Sequence, residues 1–139
     1  MISVRFGVPA EVAFAFLVDP ANRPLWQSSL RRVEDVTPAE PAVGQTWTDV
    51  TAAGVRPAME TTELVPSTRW TERGSWHGII AELTLHVEPV ASGCIVTPEF
   101  RVRGKGLLSP LGPMLTSLAR LAVPGDLRRA AGLLAREHG

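Results

Sequence analysis

Between Val8 and Trp26 the chain reads VPAEVAFAFLVDPANRPLW, and no other stretch restricts the fold so strongly. Pro9 suits the first turn of a helix, where its missing N–H has no partner to lose. Residues 10–18 are apolar on nearly every side, with Glu11 the one charge, so this helix is expected to be buried on more than one face. Asp19-Pro20 restarts the chain, Asp19 as N-cap and Pro20 as the first helical residue. Pro24 then limits the second helix to little more than a turn. A strand-like run at residues 2–7 comes before both helices. Two short helices directly after a first strand point to a curved antiparallel sheet closing on a long helix, with a cavity between them.

Six further strands are expected, at residues 30–37, 45–51, 56–65, 68–76, 79–87 and 94–103. Pro and Gly, twelve of each, punctuate them. Two strands alternate cleanly. Ile79, Ala81, Leu83, Leu85 and Val87 share one face against Glu82, Thr84, His86 and Glu88. Cys94, Val96, Pro98, Phe100 and Val102 oppose Thr97, Glu99, Arg101 and Arg103, with Ile95 the exception. One buried and one wet face is the mark of an antiparallel sheet covered on one side. Pro98 cannot donate to a ladder, so a bulge or an edge is expected there.

After residue 106 the period becomes helical. Leu107, Leu111, Met114, Leu115, Leu118, Leu121 and Ala122 form one stripe. Leu127, Ala130, Ala131, Leu133 and Leu134 form a second, about half a turn away at roughly 100° per residue. A straight helix cannot bury both against one surface, so a kink or break is expected at Pro124-Gly125. The fold class is therefore α+β, a seven-stranded antiparallel sheet under a long C-terminal helix. One domain is expected over residues 1–139, the length of one ordinary domain.

Composition narrows the function. Basic and acidic residues balance at 14 each, so the phosphate-neutralising excess of a nucleic-acid binder is missing. No apolar run approaches the roughly 20 residues that span a bilayer. The first residues carry no charged segment followed by an apolar core, and Cys94 is the single cysteine, so a cytoplasmic setting is expected. His77, His86 and His138 fall at no metal-ligand spacing, so no metal is expected, and no cofactor motif appears. Oligomeric state is not legible. Tyrosine is absent, which removes phenol-based acid catalysis.

The expected pocket wall consists of Trp26, Trp47, Met59, Trp70, Trp76, Phe100, Leu111, Met114, Leu115 and Leu118. Large aromatics give an apolar ligand much contact area, and methionine adapts to it. Ordinary core packing is the plainer role for each. Trp47, Asp49 and Thr51 share a strand face, as do Trp70, Glu72 and Trp76. If the tryptophans face a cavity, Asp49 and Glu72 face it too, as anchors or as a general acid or base with a raised pKa. The plainer reading, and the favoured one, is that twist or a bulge turns both acids to water. Glu60 and Glu63 have opposite parity, so one of them is a further candidate to point inward.

The order of these pieces resembles the polyketide cyclase/dehydrase and lipid-transport superfamily, the SRPBCC proteins of START-like or Bet v 1-like helix-grip fold. The matching pieces are VPAEVAFAFLVDPANRPLW, Val43-Gly44, ELVPSTRW, EPVASGCIV and FRVRGKGLLSPLGPML. The resemblance implies an apolar cavity between sheet and last helix and a small hydrophobic or amphipathic ligand. It leaves two alternatives: a cyclase or dehydratase, for which the face parity offers Glu72 or Asp49, or a domain acting through a protein partner. No shared catalytic motif exists to be carried over, so the resemblance names no catalytic residue.

Overall fold

The computed structural model describes residues 2–104, Gly106 and 111–138, with residues 111–121 described by backbone alone. Strand β1 (Val4–Phe6) leads into helix α1 (Ala10–Val18), a 3-10 turn (Pro20–Asn22) and helix α2 (Arg23–Trp26). Strands β2 (Leu30–Thr37), β3 (Thr46–Thr51), β4 (Ala58–Val65), β5 (Arg69–Trp76), β6 (Ile79–Val90) and β7 (Gly93–Gly104) follow, then helix α3 (Leu111–His138). The sheet order is β1-β7-β6-β5-β4-β3-β2, antiparallel at every pairing. Five hairpin neighbours in a row follow from the short Pro- and Gly-containing turns. Strand β1 returns beside β7, so the first and last strands meet at one edge.

Local chemistry sets the helical corner as expected. The Asp19 side chain accepts from the Ala21 N–H at 3.0 Å, with Pro20 the first residue of the 3-10 turn. Asn22 ties the turn back to α1 by donating to the Phe16 carbonyl at 3.1 Å. Helix α1 buries Ala10, Ala13, Phe14, Leu17 and Val18, which form one face at helical spacing; Val12 and Phe16 are only half-buried, so burial extends less far around the helix than expected. Helix α2 packs on β2 and on α3.

Helix α3 packs on β7 and β1, and its second stripe sinks Leu127, Ala130 and Leu134 into the core. Of the expected kink or break at Pro124-Gly125, the break does not occur: α3 is helical throughout and carries Pro124 in its interior. A proline removes one helical hydrogen bond but does not end a helix whose flanking turns are held by packing. The buried cluster joins Phe6, Val8, Phe14, Leu17, Leu85, Val87 and Val96 with those α3 residues. The same cluster reaches Trp70 of β5, Met59 of β4 and Trp47 of β3, so the core runs across the sheet.

Pro98 resolves as the edge alternative. Strands β6 and β7 pair without a register shift and set Pro98 opposite Leu85, while β1 pairs only with residues 94–96. There is a bulge elsewhere, between Thr61 and Glu63 of β4. It shifts the parity, so Glu60 and Glu63 both face outward, paired with Arg73 and Arg69 at 3.1 and 2.9 Å. Neither acid reaches the concave side.

Gly93 closes the β6–β7 hairpin with φ +148°, and a Cβ there would stand 2.0 Å from the Phe6 carbonyl oxygen. Gly54 has φ +86° but open space around it. The strained dihedral alone costs about 1–2 kcal/mol for an L-residue. Gly54→Ala should lose about that much, and Gly93→Ala clearly more, because β1 must also move away from β7. Chemical-denaturation midpoints of the two variants check this order.

Candidate functional site

The sheet register explains why a hollow exists. Met59, Gly74, Ala81 and Val102 stand side by side on β4 to β7. Two small residues at the centre of that row leave space that larger side chains would fill. Met59 leans into the gap: a Cβ on Gly74 would lie 2.7 Å from its sulfur. The next row is Thr61, Glu72, Leu83 and Phe100. One row further, Trp70 and Leu85 are large and buried, and the sheet is solidly packed again.

The resulting cavity has a volume of about 540 Å³. Its sheet side is Met59, Ala81, Leu83, Phe100 and Val102. Trp26 covers it from α2, Ala122 and Val123 from α3, and Trp76 and Ile79 stand where the β5–β6 hairpin meets solvent. Trp26 is 1% exposed, and its indole N–H has no partner among the described residues. At the α2 side, Ser28 donates through its N–H and Oγ to Asp126 of α3, at 3.3 and 2.9 Å.

One wall of the cavity is ionic. Arg23 of α2, 2% exposed, reaches two buried carboxylates. Its Nε and Nη2 donate to Asp49 Oδ1 and Oδ2 at 3.1 and 2.8 Å, a bidentate fork. Its Nη1 donates to Glu72 Oε2 at 2.5 Å. A longer contact runs from Nη2 to Gln27 Oε1 at 3.4 Å. The guanidinium carbon lies 5.1 Å from the Trp47 ring centre, and Trp47 Nε1 donates to Asp49 Oδ1 at 2.9 Å. Among the described residues, Asp49 thus accepts three hydrogen bonds and Glu72 accepts one.

That inequality matters because one cation faces two anions. Burial pushes the Glu72 carboxyl up to about 7, Arg23 opposes the rise, and the Asp49 charge adds to it. Burial also pulls down the Arg23 guanidinium, but Glu72 and Asp49 together outweigh it and hold its pKa above the ordinary value. The proton of the cluster therefore belongs on Glu72, the acid with fewer donors. A neutral arrangement of Arg23⁺, Asp49⁻ and protonated Glu72 avoids an excess charge away from water.

The favoured expectation that both acids reach water is overturned: Asp49 is 4% and Glu72 is 5% exposed. Twist does not swap their faces, because Arg23 meets them from the concave side. Of the expected wall, Trp26, Met59, Trp76 and Phe100 line the cavity. Trp47 does not; it forms the floor under Arg23. Trp70 lies in the packed row, its Nε1 donating to Thr61 Oγ1 at 3.2 Å. Leu111, Met114, Leu115 and Leu118 belong to α3, at positions whose side chains fall outside the described residues. Sequence reasoning missed Arg23 altogether. Its signal was indirect: two inward carboxylates require a cation, and Arg23 lies in the helical corner beside Trp26.

Two outcomes follow for stability. Glu72 is protonated in both folded and unfolded chains below its ordinary value of 4.5, so the pH dependence begins there. Between that value and about 7 the unfolded chain gives up the proton and the folded chain keeps it, so stability falls as pH rises. Above that range both are ionised and the loss is complete, at about 3 kcal/mol. Glu34 and Glu63 slope the other way, since hydrogen bonds from Arg32 and Arg56, and from Arg69 and Thr71, hold them below the ordinary value. Urea unfolding of the parent and of Glu72→Gln across this window isolates the Glu72 contribution, because only the parent should carry it. Arg23→Met leaves Asp49 without its cation and should cost about 3–5 kcal/mol, partly restored by adding Asp49→Asn.

No curated protein matches the chain. Among solved structures it is similar to a protein from Mesorhizobium loti, with a TM-score of 0.75 and 17% identity over 97% of this chain and 95% of that one. It is similar to a START superfamily protein from Mycobacterium smegmatis, with a TM-score of 0.75, 11% identity and the same coverage. It is also similar to Ara h 8.0201, with a TM-score of 0.76 and 12% identity over 97% of this chain and 95% of that one. These likenesses establish the helix-grip architecture. The sequence pattern of one family, described as polyketide cyclase / dehydrase and lipid transport, runs from residue 2 to residue 139. The chain belongs to that family.

Proposed function

We propose that the protein binds a small hydrophobic or amphipathic molecule between its sheet and α3, apolar body against Phe100, Leu83 and Met59, polar end toward Glu72. The cavity carries this reading. At about 540 Å³ it falls in the range of small-molecule sites, and it combines an apolar wall with a few convergent polar groups. The described helices include none long and apolar enough to cross a membrane.

A second reading, an enzyme of the cyclase or dehydratase kind, has one specific observation in its favour. Glu72 lines the cavity with its carboxyl pushed up to about 7, where an acid both gives and takes protons near neutrality. Buried ion-pair networks perturb pKa values without catalysis as well, so binding comes first and turnover second. Action through a protein partner has less support. The large exposed apolar residues among those described, Ile2, Leu25, Val43, Val65 and Trp76, come from five separate stretches of the chain.

A neutral dye such as N-phenylnaphthylamine tests the binding reading. Ala81 stands in the centre of the hollow row, so Ala81→Trp should fill the space and weaken dye binding about tenfold or more. Circular dichroism should show the fold kept. Equal dye binding by parent and Ala81→Trp would place the dye elsewhere and overturn the assignment of the cavity.

A further inference from the structure

Resting on the binding reading above, we propose that the cavity selects uncharged ligands whose polar end is a hydrogen-bond acceptor, such as a ketone or ester carbonyl, and rejects carboxylates. A buried arginine in a ligand cavity ordinarily suggests an anionic ligand. Here the opposite holds. All three guanidinium nitrogens of Arg23 already donate, two of them to Asp49 as a fork and the third to Glu72. Its charge is already balanced inside the protein. A ligand carboxylate would bring a further negative charge to a site that already holds two acids and one base.

The groups left for a ligand are donors. Glu72 lines the cavity, and Arg23 engages only Oε2, so Oε1 is without a partner among the described residues. A proton on that carboxyl makes it an O–H donor facing the hollow. Gln27 gives its Oε1 to Arg23 and keeps its amide N–H groups for another acceptor. Trp26 stands in the same wall, but its indole N–H is sealed from the hollow and is not among these donors.

Among the described residues, the charged groups around Glu72 can be named element by element. Arg23 faces it from α2 and Asp49 from β3. Asp126 of α3 lines the same cavity but is engaged by Ser28. On the flanking strands its register neighbours are Thr61 and Leu83, both uncharged. With one cation for two acids, the proton rests on Glu72, and its loss at alkaline pH removes the donor and leaves a net negative wall.

Matched probes of one shape test this: acetylnaphthalene, ethylnaphthalene and naphthoate, each displacing N-phenylnaphthylamine. Measurements are made at about pH 6 and about pH 8.5, on either side of the Glu72 transition. The ketone-to-hydrocarbon affinity ratio should fall about fivefold to tenfold between the two, the contribution of one net hydrogen bond. Glu72→Leu should show the low ratio at both pH values. Glu72→Gln, which keeps a donor, should show the high ratio at both. Naphthoate should bind weakest throughout. Failure of the dye and all probes to bind would overturn ligand binding itself. Probes that bind with one ratio in every case, or naphthoate binding tightest, would overturn the selectivity and leave the cavity standing. Should the variants fail to fold, the carbon-13 titration of the Glu72 carboxyl in the parent still decides. A midpoint near neutrality supports the O–H donor, and an ordinary carboxylate midpoint contradicts it.

Discussion

Everything distinctive about this molecule hangs on Arg23 held between Asp49 and Glu72. The three side chains are each at most 7% exposed, and they come from three elements, α2, β3 and β5. Removing charges from water is expensive, and only close, well-directed pairing offsets it. The fork to Asp49 and the indole of Trp47 give one acid a full set of donors. Glu72 receives what remains. The cluster thereby fastens the helical corner to the concave face of the sheet and leaves one titratable group at the cavity wall.

The cavity itself has a simpler origin. Gly74 and Ala81 stand next to each other across β5 and β6, between rows filled by Trp70 and Leu85 on one side and by solvent at Trp76 on the other. Close packing is the rule in protein interiors, so a row of small residues under a covering helix leaves a real void. The packed ends of β6 and β7, at residues 85–87 and 94–96, hold α3 in place beside β1, which lets the opposite ends of the same strands stay hollow. Stability and binding are assigned to opposite ends of the same strands.

Most of the fold is legible in the sequence because it rests on short-range patterns. Period-two alternation in β6 and β7, Pro9 and Asp19-Pro20 at the helix starts, and the change of period after residue 106 all act locally. The site is legible only in part. Parity puts Asp49 and Glu72 on the same faces as Trp47 and Trp70, and the structure agrees. Whether those faces meet water or a cation depends on Arg23, which is 26 residues from Asp49 and 49 from Glu72. The bulge at Thr61–Glu63 likewise has no marker in sequence, and it decides the direction of Glu60 and Glu63. Trp47 and Trp70 show the remaining limit: a side chain on the concave face is either wall or packing, and only the register of neighbouring rows tells which.

The central claim is that an uncharged, acceptor-bearing molecule occupies the hollow beside Glu72. A crystal structure grown with acetylnaphthalene at mildly acidic pH tests it most directly. The expected density lies between Ala81 and α3, with the carbonyl oxygen about 2.7 Å from a Glu72 oxygen. An empty or water-filled cavity with the compound bound elsewhere, or a ligand whose oxygen points away from Glu72, would contradict the account.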